Sequence, residues 1–503
     1  MTGPPRLVAA LLVALATLVA CSDDEKAISG AGRTSTSAPS TTTTAADSGD
    51  GGTGALAAPS TTTEPTAPTT APGAPSPAPA QPATPSCPAV PAQASPPVSR
   101  PAYVLDVHVL LDANIVEGGT TVRFTPDLPT DRLVFRLWPN SPRTAAAGAR
   151  LDVGPVAVDG RPAEARLTDP TTLVVSLPAV LRAGERVEAA VPWRLTLPGP
   201  ANDRIARDGD AVRLGSFFPI LAWEPGVGWA VEPATGLFAE ASVATTADFE
   251  LSVTSPAGLT VMASGEPAGP GRWRATGVRD VALSVGRFVV AEGVAHAPGP
   301  VTVTVGVHEP VGESPASYLD KVVRSLEDFA SRFGPYPYPR LTLAVTPGLG
   351  GGIEYPGHIL QGPRTIGRTT SHEIGHMWFY SLVGNNQGRD PWLDEGLASW
   401  AEARFEGTLD SFANRSVPAA GRGRLAEPMT YWARHPDAYY RSVYVQGAQA
   451  LAALGDADLV DCALRHYVAA NAFRVARPAD LVASLEKVFP DARAVLARFG
   501  VHT

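Results

Sequence analysis

The sequence predicts a multidomain α and β chain. An N-terminal antiparallel β-sandwich or saddle domain is followed by a mainly helical domain. Three observations carry that reading. Residues 22 to 99 are of low complexity and separate the first 21 residues from the remainder of the chain. Residues 100 to 308 hold many short apolar runs of period two, set apart by Gly, Pro and Asp clusters, the pattern of a sandwich-like sheet domain. From about residue 309 the apolar period becomes helical. The divisions expected are 1–21, 22–99, 100–308 and 309–503.

Residues 1–21 read as an export signal. Arg6 supplies a positive start, and Leu7 to Ala20 is apolar but shorter than the ~20 residues a membrane span needs. Its end, Leu18-Val19-Ala20-Cys21, resembles a bacterial lipobox. That resemblance implies cleavage before Cys21 and lipid attachment to its sulfur, hence an extracytoplasmic protein anchored to the cell membrane. An ordinary signal peptide cut near Ala20 is the other reading. Residues 22–99 carry Ser/Thr runs and Ala/Pro/Thr/Ser repeats with few large apolar groups, so little offsets the entropy of ordering them. A tether is expected there. Glycosylation of that tether is a matter of composition alone. Once Cys21 is set aside, Cys87 and Cys462 remain. In an oxidising compartment they either pair or both stay free.

In the β region Tyr103, Leu105, Val107 and Val109 alternate with polar neighbours, and Val301, Val303, Val305 and Val307 do so at its far end. His108 and His308 fall in those strands and read as surface histidines. The loop Gly215 to Pro225 is aromatic without alternation, and packing against the next domain is its expected role. Beyond 309, Tyr318, Val322, Leu326, Phe329 and Phe333 mark an amphipathic helix that ends at Gly334-Pro335. Leu341 to Val345 reads as a strand, and Gly350 to Gly357 comes after it. Gly351 and Gly352 would let a substrate backbone approach and pair as an added strand. Glu354 would then meet a cationic group, unless it is a surface carboxylate on a glycine-rich turn.

The chemistry centres on His372-Glu373-Ile374-Gly375-His376. Residues 369 to 383 have helical apolar spacing, which places the two histidines at i and i+4 on one face. Two imidazoles so placed reach one zinc ion, while Glu373 leans over its open position. After eighteen intervening residues Glu395 lies in a second helix that opens at Pro391. It is the candidate third ligand. Glu402, two turns on, either accepts a histidine N–H or is simply solvated. The net charge of −9 and the lack of a basic block argue against a nucleic-acid partner.

Together, Gly351-Gly352-Ile353-Glu354-Tyr355, His372-Glu373-x-x-His376, Trp392-Leu393-Asp394-Glu395-Gly396 and Tyr444-x-x-Gly447-Ala448 resemble the aminopeptidase N family of gluzincin zinc metallopeptidases. Phe217-Phe218-Pro219 to Pro225 is similar to that family's aromatic–proline loop. The resemblance covers residues 103–503 and implies a thermolysin-like catalytic domain with one zinc ion per chain. It implies His372, His376 and Glu395 as zinc ligands and Glu373 as general base. It also implies Tyr444 as the phenol beside the tetrahedral intermediate and Glu354 as the group that binds the substrate's free α-amine. Peptides with a free N-terminus are then the expected substrates, cleaved one residue at a time. Ile353 and Tyr355 stand where the family has Met and Asn, which puts the shape of the first subsite in question. Gln446 replaces a lysine, and the link from Glu354 to His372 is short, so a more open pocket is expected. A long helical-repeat domain after the catalytic one, as in larger members of that family, is not expected. No second amine-binding residue is identified in the β region, and His358 and His435 are near only in sequence. A zinc endopeptidase or other hydrolase on the same scaffold, or an inactive surface-binding lipoprotein, are the alternatives.

Overall fold

The computed structural model describes residues 86–238 and 243–503. The expected signal, Cys21 and the tether as far as residue 85 lie outside the described residues. No helix among the described residues is long and apolar enough to cross a membrane.

The alternation in the β region becomes a two-faced sheet. Strands Ala102–Leu110 (β1), Ile115–Phe124 (β2), Val187–Thr196 (β3), Ala247–Thr254 (β4) and Arg272–Val278 (β5) lie in the order β5-β4-β1-β2-β3 within a nine-stranded sheet. Tyr103, Leu105, Val107 and Val109 all point inward from β1 and are buried. The antiparallel expectation needs one correction: β1 and β4 run parallel, because a long connection rather than a hairpin joins them. Smaller sheets complete the β-rich part.

Phe217 and Phe218 of the aromatic loop are wholly buried and sit edge-on to Trp193, Tyr103 and Phe249. The loop therefore closes the β core itself. Both its ends also face the following part: Gly215 and Ser216 lie against Tyr355, and buried Glu224 accepts from Asn386 and Arg389.

The strand pair Phe288–His296 (β6) and Pro300–His308 (β7) corrects the expected boundary at 308. These strands join Arg340–Val345 (β8), Gly352–Tyr355 (β9) and His358–Gln361 (β10) in one five-stranded sheet of order β6-β7-β8-β10-β9. Period two reveals a strand but not the sheet it joins, so the division by pairing falls near residue 287. Helix Pro315–Phe333 (α1) packs on β6 and β7. Its five large apolar side chains, Tyr318 to Phe333, are buried, each worth roughly 1.5–3 kcal/mol. β9 forms the edge of this sheet, beside the helices that carry the metal motif.

Buried arginines join the two parts. Arg279, next after β5, donates to the carbonyls of Tyr380, Leu382, Arg474 and Ala244. Arg213 donates to Pro347 O at 2.6 Å. Cys87 and Cys462 are paired in a disulfide, which resolves the alternative left open by sequence. It joins the segment before β1 to helix Ala457–Asn471, and Ala94 N–H adds a hydrogen bond to Ala469 O on the same helix.

Candidate metal centre and active site

Helix Arg368–Gly375 (α2) carries the motif and is shorter than the expected 369–383. His376 is its C-cap yet keeps helical dihedrals, and its N–H bonds His372 O at 3.3 Å. The i, i+4 stacking survives, with ring centroids 4.7 Å apart. Helix Trp392–Glu406 (α3) begins directly after Pro391 and places Glu395 in its first turn. Gly375 lets the two helices approach, since a Cβ there would lie 3.2–3.3 Å from Ala398 and Ala401.

Three acceptors converge between α2 and α3. His372 Nε2 and His376 Nε2 are 3.1 Å apart, and Glu395 Oε2 is 3.1 Å and 3.3 Å from them. The opposite ring nitrogens face carboxylates: His372 Nδ1 is 3.2 Å from Glu402 Oε2, and His376 Nδ1 is 2.6 Å from Asp394 Oδ1. With N–H at each Nδ1, both Nε2 lone pairs point at each other and at a carboxylate oxygen. Only a cation between them reconciles that arrangement. Atoms so spaced lie about 1.8 Å from their common centre, within the ~2.0–2.1 Å reach of zinc bonds. The donor set therefore fits zinc. Burial works against charging His372, but hydrogen bonds to Glu395 and Glu402 prevail and raise it to about 9. Burial likewise opposes, yet Glu354 and Asp394 raise His376 well above its usual value. Burial alone would lift Glu395, but the two rings hold it far below the usual carboxylate range.

Glu402 thus lies behind His372, and Arg368 Nε holds its other oxygen at 2.5 Å. Asp394 is the residue that sequence reasoning missed. It precedes Glu395 on α3, so its side chain is rotated by about 100° and meets the second histidine from behind. Gln387 Nε2 fixes its far oxygen at 2.5 Å. An acid in the first turn beside a metal ligand was the available signal.

Glu373 is buried, and its Oε2 has no hydrogen-bond partner. Burial first, then the charges of Glu395 and Asp394, work against the cationic histidines to push it up to about 7. Gly352 on β9 lies directly against it: a Cβ there would fall 2.3 Å from Glu373 Cγ. Gly351 has open space instead. Glu354 is buried on the same strand, with ligand atoms of Glu354, Glu373 and His376 all within 4.8 Å of one another. Its neighbours alternate away. Ile353 and Tyr355 pack with Leu349, Leu360 and Ala282, and the Tyr355 hydroxyl is 3.3 Å from Ser216 Oγ of the β-rich part. These two side chains form a buried seam between the two parts.

Tyr444 lies in a π-helical turn, Arg441–Val445, between helices Pro436–Tyr440 (α4) and Gln446–Ala452 (α5). Such turns recur at functional sites. Its hydroxyl donates to Glu395 Oε1 at 2.5 Å, and its ring stacks on His372 at 5.6 Å. Gly396 and Gly447 allow this, because a Cβ on Gly447 would fall 2.5 Å from Gly396 Cα.

The other histidines stand apart from the site. His358 is wholly buried on β10 with Nε2 3.1 Å from Ser284 Oγ, and burial pushes it down to about 3. His435 stacks on Tyr431 at 4.3 Å. His308, expected at the surface, is buried with Nε2 2.9 Å from Asp210. His108 is half-buried beside Asp106.

Residues 318–499 match the Peptidase family M1 domain. Aminopeptidase B of Homo sapiens is 30% identical over 188 residues, covering 32% of this chain and 29% of the relative. Aminopeptidase M1-B of Oryza sativa subsp. japonica is 29% identical over 218 residues, 36% of this chain and 25% of the relative. The chain thus spans less than a third of either relative's length. The structure of an M1 zinc metallopeptidase from Deinococcus radiodurans shares the fold, with a TM-score of 0.60 at 20% identity, covering 80% of this chain and 94% of that one. A mutant form of the Deinococcus enzyme bound to a Tyr-Ser-Ala substrate superposes with the same TM-score at 19% identity, over 80% of this chain and 95% of that one.

Proposed function

We propose that this chain, whose residues 318–499 match the Peptidase family M1 domain, belongs to the aminopeptidase N group of gluzincins and is a zinc-dependent aminopeptidase with one zinc ion per chain. The observation that carries the reading is the convergence of His372, His376 and Glu395 beside a buried Glu373, with Glu354 on the adjoining glycine edge. Bound there, zinc supplies Lewis-acid chemistry that polarises a scissile carbonyl and acidifies water.

This chain's residues do the rest. Glu373 Oε2, lacking a hydrogen-bond partner, takes the proton of the attacking water and returns it to the departing amine. Tyr444 redirects its hydroxyl from Glu395 to the oxygen on which charge develops; losing such a donor costs ~2.7–4 kcal/mol of transition-state stabilisation. Glu354 binds the substrate's α-ammonium through a charge-assisted contact and so fixes which peptide bond meets Glu373. Glu402 and Asp394 hold the rings in the tautomer that presents Nε2.

The helical part around α2 and α3 is, in this proposal, thermolysin-like. The chain acts outside the cytoplasm, tethered by lipid at Cys21 after removal of the residues before it. The lipobox-like sequence supports that setting, and so does the Cys87–Cys462 disulfide, which favours an oxidising compartment.

The test is a matched pair of peptides, one with a free N-terminus and one acetylated. Release of the first residue from the free-amine peptide alone is expected, and Glu354→Ala should chiefly harm that substrate. Equal cleavage of both peptides would replace the aminopeptidase reading with an endopeptidase.

A further inference from the structure

The π-helical turn that carries Tyr444 is held from one side by a single carboxamide. Gln446 is buried, two residues beyond Tyr444 at the start of α5. Its Nε2 donates to Ser442 O, four residues back, at 3.1 Å and to Gly421 O at 2.9 Å. Its Oε1 accepts from Gly423 N–H, also at 2.9 Å. One side chain thereby joins a carbonyl inside the π turn to both ends of the 421–423 loop. The loop itself is seated against the turn: a Cβ on Gly421 would overlap Ser442 Oγ.

A π turn fits one extra residue into a helix, and that disturbs the regular i to i−4 ladder. A buried carbonyl near it requires a donor, at a cost of ~1–3 kcal/mol if none is present. The Gln446 amide supplies one at Ser442, and Ser442 to Val445 is the segment whose dihedrals aim the Tyr444 ring at His372 and Glu395.

We infer that Gln446 is a positioning residue for the reaction: its carboxamide clamps the π turn to the 421–423 loop and thereby aims the Tyr444 hydroxyl. The inference rests on the role proposed for Tyr444, but the clamp itself is testable without turnover. Gln446 does not touch substrate. It acts through the phenol, so its loss and the loss of the phenol are one event counted once.

The experiment is a double-mutant cycle on the zinc-loaded protein, with Gln446→Met, Tyr444→Phe and the pair, each examined by hydrogen exchange as well. Gln446→Met removes all three hydrogen bonds at near-constant volume. It should lower kcat on a free-amine aminoacyl anilide about tenfold and change KM less than twofold. In the Tyr444→Phe background the same change should lower kcat less than twofold. Amide exchange over 441–447 and 421–424 should quicken at least tenfold, with α2 and α3 unchanged. Multiplying effects on kcat, or exchange unchanged over 441–447, would overturn the inference. An inactive wild type would overturn the proposed function instead, and the exchange arm would still decide the clamp. Should Gln446→Met not fold, Gln446→Glu, which keeps the acceptor and loses both donations, is read by the same criteria.

Discussion

Replacing Gly352 with alanine should disable the proposed base while leaving the metal in place. Gly352 lies in strand β9, outside the left-handed region, so its backbone accepts alanine without strain. The three nearest obstacles are all atoms of Glu373. An added Cβ would sit 2.3 Å from its Cγ, 2.4 Å from its Cδ and 2.5 Å from its Oε1. Ordinary carbon contacts begin near ~3.5 Å, so the carboxylate must retreat by roughly 1 Å. Misplacing a reacting group by that much costs about 10²-fold in rate. Gly352→Ala should therefore lower kcat about a hundredfold on an aminoacyl anilide, with zinc content and thermal midpoint near wild type. Gly351→Ala is the control, because nothing lies within 4 Å of its added Cβ. In a Glu373→Ala background, Gly352→Ala should add little further loss. Wild-type kcat in Gly352→Ala, or an equal loss in Gly351→Ala, would refute the reasoning.

Three further outcomes are expected. Asp394→Ala and Glu402→Ala each remove the acceptor behind one histidine, and zinc affinity, measured by competition with a chromophoric chelator, should fall ~10–100-fold. His358 is held neutral down to about pH 3, whereas an unfolded histidine takes up its proton near pH 6.5. Between those values the unfolded state binds the extra proton, so stability should fall as pH falls, by at most ~1.4 kcal/mol per pH unit. Urea unfolding of His358→Gln across pH 4–7 should show a correspondingly shallower slope. Cys462→Ser opens the Cys87–Cys462 bridge and should cost about 2–4 kcal/mol in denaturant unfolding, with zinc retained.

How much of this was legible in the sequence depends on how local each feature is. The pairing of His372 with His376 needs only one turn of helix, so five residues disclose it. Glu395 required a second helix, and Pro391 marked where that helix begins. Glu402 was visible as a face-mate of Glu395. Asp394 was not, because its use depends on which ring stands behind α3. That Ile353 and Tyr355 turn into a buried seam was not legible for a related reason. Their direction is set by the register of β9 on β10, and sequence does not print register. The boundary at 308 failed because alternation is identical whether β6 and β7 pair with one sheet or another. His308 was misread as a surface residue because its burial depends on Asp210, ninety-eight residues away in sequence. The two cysteines could pair or stay free until the fold brought helix Ala457–Asn471 against residue 87.

Two helices make three acceptors converge, and zinc add-back tests the role of that convergence most directly. Chelated protein is titrated with zinc while hydrolysis of a free-amine aminoacyl anilide is monitored. Activity should rise linearly and stop at one equivalent per chain, and His372→Ala or Glu395→Ala should abolish the high-affinity phase. Activity that survives chelation, or a rise indifferent to those substitutions, would contradict a catalytic zinc held by His372, His376 and Glu395.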